Sequence, residues 1–85
     1  MAKWVLIKHE GNLEDARWEL PGHLEEHHVE EIVKRLVCRS LSDDEIVSSS
    51  LPHGDSKRYV LLDRNDDPNI IHMGENPYFV ATLEQ

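Results

Sequence analysis

Apolar side chains are spaced in three different ways along this chain, and the spacings divide it into elements. Residues 4–9, Trp-Val-Leu-Ile-Lys-His, are rich in β-branched and aromatic types and predict a strand. Apolar residues fall on both alternating faces of that stretch, which predicts a strand in the middle of its sheet. Gly11-Asn12 tolerates the positive φ of a tight hairpin turn. Beyond it, Ala16, Trp18 and Leu20 alternate with Asp15, Arg17 and Glu19, the period of a half-buried strand, and Pro21-Gly22 ends the run.

From Leu24 the period lengthens. Val29, Ile32, Val33, Leu36 and Val37 follow the i, i+3, i+4, i+7, i+8 spacing of one helical stripe. Glu25 and Glu26 fall near the start of this stripe and Lys34, Arg35 and Arg39 near its end, both favourable to the helix dipole. A helix over residues 23–40 is expected. Ser42 followed by Glu45 is a capping box for a second, short helix through Val47. Residues 48–55, Ser-Ser-Ser-Leu-Pro-His-Gly-Asp, carry loop chemistry. Three further strands are expected: Arg58-Tyr59-Val60-Leu61-Leu62, Ile70-Ile71-His72-Met73 and Tyr78-Phe79-Val80-Ala81-Thr82-Leu83.

The order β-β-α-α-β-β-β predicts a single α+β domain over residues 1–85. Its two layers are one main helix across a mixed or antiparallel sheet of four or five strands, a β-grasp-like arrangement.

Composition narrows the function more than the fold. The 85 residues carry 17 Asp and Glu against 9 Lys and Arg, a formal charge of −8 with histidines neutral. That balance argues against binding nucleic-acid phosphates. No apolar run approaches the ~18 residues of a membrane span. The single cysteine, Cys38, excludes an intramolecular disulfide, and the first residues lack the apolar core of a signal peptide. A cytoplasmic protein is expected.

The segment His23-Leu24-Glu25-Glu26-His27 fits the H-x-x-E-H pattern of a zinc-dependent hydrolase, in which two histidines on one helical face hold the metal and a glutamate activates water. His23, His27 and Glu30 or Glu31 are the candidate ligands. The same residues lie opposite the apolar stripe, where a solvated helix face would carry them anyway. His28, on the flank of the stripe, is expected to pack. Asp63-Arg64-Asn65-Asp66-Asp67 starts like a calcium loop but then offers Pro68 for the turning glycine and Gly74 for the bidentate glutamate. Cys38, one turn after Lys34, is either a thiol made reactive by that ammonium or a small apolar residue under a loop. The four glycines are isolated turn residues, so no phosphate-cradling loop is present and no cofactor is expected.

The acid is concentrated. Between Glu10 and Glu31 there are eight carboxylates and one base, Arg17. The expected function is therefore a non-enzymatic interaction or regulatory module docking a basic protein, with Glu10, Glu14, Asp15, Glu19, Glu26 and Glu30 as contact residues. An inhibitor of the phage or mobile-element type is one version of that reading. The alternatives are a metal-binding protein using His23, His27 and Glu30, and a small hydrolase whose site the sequence does not assemble. Neither nucleic acid nor membrane is expected as a partner. Unpaired edge strands would permit a homodimer, and six histidines would allow association to vary with pH.

Overall fold

Gly11, with φ of +62°, turns the chain between β1 (Lys3–Glu10) and β2 (Leu13–Pro21), the hairpin expected there. The computed structural model describes residues 2–67, 69–75 and 77–85. Near the turn the register slips by one: Lys8 faces Ala16 while His9 faces Glu14, leaving Asp15 as an extra residue in β2. Such a bulge increases the local twist of the strand.

The main helix, α1 (Glu26–Cys38), starts later than residue 23. Residues 21–24 form a turn instead, in which the Leu24 N–H donates to the Pro21 carbonyl at 3.3 Å. The buried indole of Trp4 donates to the Leu24 carbonyl at 3.0 Å and so fixes the approach to the helix. His28 is exposed rather than packed; its Nδ1 accepts the Glu25 N–H at 3.3 Å and satisfies one donor that the helix start leaves unpaired. At the other end, Arg39, Ser40 and Leu41 N–H groups return to the carbonyls three residues back, which closes the helix after Cys38. The second helix, α2 (Asp43–Ser49), has the expected reciprocal cap. Ser42 N–H donates to Glu45 Oε1 at 2.9 Å, and Glu45 N–H donates to Ser42 Oγ at 3.2 Å.

The expected strand at residues 58–62 is absent. Tyr59 and Val60 are 50% and 66% exposed, and the backbone is satisfied by turns: Tyr59 N–H donates to the Ser48 carbonyl and Asp63 N–H to that of Val60. Arg58 folds back to donate to the Leu51 carbonyl at 2.9 Å and to Asp63, holding the segment curled where a ladder would require it extended. Regular structure resumes at β3 (Ile70–Gly74) and β4 (Tyr78–Glu84).

The four strands form one antiparallel sheet in the order β2-β1-β4-β3, with β1 central as its two-faced apolar pattern predicted. The architecture is α+β in two layers. Trp4 and Leu6 of β1, Ile71 and Met73 of β3, and Phe79 and Ala81 of β4 share one face. The α1 stripe of Val29, Val33 and Val37 packs on that face, with Ile32 and Leu36 at its margin. Each of these buried valines contributes about 1.5–3 kcal/mol relative to exposure.

Candidate functional site

The strand pattern places a second apolar set on the face that α1 leaves uncovered. β1 supplies Val5, Ile7 and His9; β4 supplies Thr82, Val80 and Tyr78 directly opposite them; β3 adds Ile70 and His72. Val5 is only 1% exposed although it lies outside the main core. Its cross-strand neighbours are Glu19 and Thr82, and Glu19 accepts from Lys3 at 3.2 Å. Ile7, Ile70, Val80 and Thr82 are half-buried. The three rings gather at one end of this face. His9 stacks on Tyr78 with centroids 4.8 Å apart and planes 12° from parallel, while His72 meets Tyr78 edge-on at 4.9 Å. Tyr78 is thus held between two imidazoles, a pairing worth about 0.5–1.5 kcal/mol for aromatic rings in general.

The six carboxylates expected to dock a partner divide between two parts of the molecule. Glu14 lies opposite His9 and Glu19 opposite Val5, so both border the uncovered face, with Arg17, opposite Ile7, between them. Glu10 and Asp15 belong to the hairpin end, where Asp15 pairs with Lys8 at 3.2 Å. Glu26 and Glu30 stand on α1, on the other side of the sheet, and face Arg64 at 2.6 and 3.7 Å. The candidate metal ligands also separate. His23 sits in the turn ahead of α1, so it does not share a helical face with His27, whose ring lies 3.3 Å from Glu25. Among the described residues no group of three His, Cys, Asp or Glu side chains could hold a metal ion. Asp63 and Asp67, the acids at the ligand positions of the calcium-like segment, are spent on Arg58 and on the Asn69 N–H.

A polar cleft opens on the helix side, between α1, the end of α2 and the irregular segment that follows. Arg58 spans its wall and donates to both carboxylate oxygens of Asp63. Those hydrogen bonds hold the Asp63 carboxyl below the usual carboxylate range and raise the Arg58 guanidinium above its own. Arg64 donates to the Ile70 and Asp67 carbonyls at 2.9 and 3.1 Å as well as to Glu26, tying the segment to α1 and β3. The Asn65 side chain accepts the His72 N–H at 2.9 Å, and the Asn65 N–H donates to the His72 carbonyl.

Compared with known protein families, curated proteins and solved structures, this chain matches none.

Chemically, the uncovered face offers aliphatic and aromatic contact area with two carboxylates and one guanidinium at its β2 border, and the cleft offers charged donors. No helix among the described residues is long and apolar enough to cross a membrane. Sequence reasoning missed the histidine–tyrosine–histidine stack because its members come from three different strands. The available signal was weak: each ring sits near the end of an apolar run, and the β1–β4 register that unites them is a tertiary fact.

Proposed function

We propose that this chain is a cytoplasmic, non-enzymatic interaction module that docks a basic protein partner on the uncovered face of its sheet. The supporting observation is the composition of that face: a half-buried apolar strip ending in the His9–Tyr78–His72 stack, with Glu14 and Glu19 flanking Arg17 at its border. An apolar centre with a charged rim is the usual anatomy of a binding surface. The net charge of −8 selects the sign of the partner and accelerates encounter. Glu10 and Asp15 extend the acidic border at the hairpin, whereas Glu26 and Glu30 serve the fold through Arg64.

A test uses nuclear magnetic resonance titration of the whole chain with a synthetic peptide of alternating lysine and valine. Shifts are expected at Ile7, Tyr78, Val80 and Thr82, with affinity falling as salt is raised. The Glu14→Lys, Glu19→Lys double variant should bind more weakly and with a flatter salt dependence. Shifts confined to α1, or a double variant that binds like the wild type, would refute docking on this face.

A further inference from the structure

The polar cleft contains donors that the fold leaves unused. Its volume is about 660 Å³, enough for a small molecule. Ser49, in the cleft wall at the end of α2, is 4% exposed, and its Oγ has no hydrogen-bond partner. Buried hydroxyls are nearly always paired, so an unpaired one calls for a ligand or water. Lys34 enters the wall from α1. Its ion-pair neighbour is Glu31 at 3.7 Å, too distant for a hydrogen bond. His53 lies on the loop across from it. Beyond the dominant Arg58 hydrogen bonds, His53 and Lys34 also act to lower the Asp63 carboxyl pKa, so the two side chains act on one region.

The carboxylates of the wall are already compensated. Asp63 receives two hydrogen bonds from Arg58, and Glu30 stands 3.7 Å from Arg64. In a chain of net charge −8, the lining of the cleft is richer in base than in acid, with Lys34, Arg58 and Arg64 against Glu30 and Asp63, while Glu26 and Glu31 outside the lining pair with Arg64 and Lys34. Ammonium, imidazole and hydroxyl are all suited to donate to an oxygen ligand. Leu51 and Leu62 give the same space an apolar side.

We propose that this cleft binds a small organic oxyanion, a phosphate monoester or a carboxylate, through Lys34, His53 and Ser49, with its carbon skeleton against Leu51 and Leu62. The site is on the helix side of the sheet and shares no residue with the docking face, so each proposal can fail without the other.

The test titrates the full chain with inorganic phosphate, phenyl phosphate and benzoate at millimolar concentrations, using sodium chloride of equal ionic strength as the control. Saturable amide shifts are expected at Ser49, Ser50 and His53. Phenyl phosphate should bind more tightly than inorganic phosphate, and its rank against benzoate assigns the phosphate or carboxylate preference. Lys34→Gln and His53→Gln should each weaken binding about tenfold, the usual scale for a charge-assisted hydrogen bond. Ser49→Ala should raise the melting temperature without anion, because an unpaired buried hydroxyl is removed, and should abolish the anion-dependent rise in melting temperature. Equal shifts with chloride, no saturable shift with any of the three anions, or unchanged affinity in Lys34→Gln and Ser49→Ala would each overturn the proposal. So would a crystal structure grown in phosphate with only water against Ser49 Oγ.

Discussion

Replacing Arg64 with alanine tests how the long irregular segment is held on the rest of the fold. The side chain is 21% exposed and its guanidinium donates hydrogen bonds to three partners, the Glu26 carboxylate and the carbonyls of Asp67 and Ile70, with Glu30 a further 3.7 Å ion-pair neighbour. The two carbonyl bonds each contribute about 1 kcal/mol net, because an opened segment regains water in their place. The Glu26 pair, half-exposed on the acid side, adds about 0.5 kcal/mol. Arg64→Ala should therefore lower unfolding stability by about 2–3 kcal/mol. Arg64→Lys keeps the charge but loses the planar fork that reaches both carbonyls, so it should recover only the smaller, ionic part. Urea unfolding followed by far-ultraviolet circular dichroism measures the global loss. Amide hydrogen exchange measures the local one, with the Asn65 and His72 N–H groups as reporters, since they bond to each other's residue. Both amides should lose protection in Arg64→Ala while the Val33 amide, at the centre of α1, loses only what the global change requires. Unchanged protection at Asn65 and His72, or full rescue by lysine, would refute this account of the segment.

Two other outcomes follow from local geometry. Gly74 has φ of +89°, and a Cβ there would lie 2.8 Å from the Pro77 carbonyl oxygen; Gly74→Ala should cost about 1–3 kcal/mol in urea unfolding, and an unchanged midpoint would contradict the turn geometry. The Asp63 carboxyl is held below its ordinary range by Arg58, so its contribution is complete above the unfolded value of about 4 and disappears as pH falls through the lower folded value. The stability gap between wild type and Asp63→Asn should accordingly be widest near neutrality and close in acid, and a gap independent of pH would exclude the pair as its source.

Periodicity found most elements because their burial follows from strand or helix geometry. The valine stripe of α1, the two-faced pattern of β1 and the Ser42–Glu45 cap all reappear in the structure. The failure at residues 58–62 is instructive. Tyr59, Val60 and Leu61 have strand propensity, yet the preceding Arg58 and following Asp63 find one another, and their pairing bends the segment. Only Leu62 of that run packs against the core. A local ion pair between two sequence neighbours overrode β propensity, which depends on having a strand to pair with. His23 illustrates the reverse error: its spacing to His27 is helical, but the Pro21–Leu24 turn keeps it outside α1.

The same logic revises what the excess of acid means. Clustering in sequence suggested one negative face, because hairpin and helix were contiguous along the chain. Folding separates them across the sheet, and each part acquires different work. Glu26 and Glu30 face Arg64, so their charge helps to dock the segment that builds the polar cleft. Asp15 is matched to Lys8, and Glu19 to Lys3, at 3.2 Å each. These exposed pairs are weak enough that a basic partner could exchange them at little cost. Charge reversal on the hairpin should therefore act on binding far more than on stability, while reversal at Glu26 should do the opposite. A set of six acids that behaved alike in both assays would mean that the sheet does not divide them.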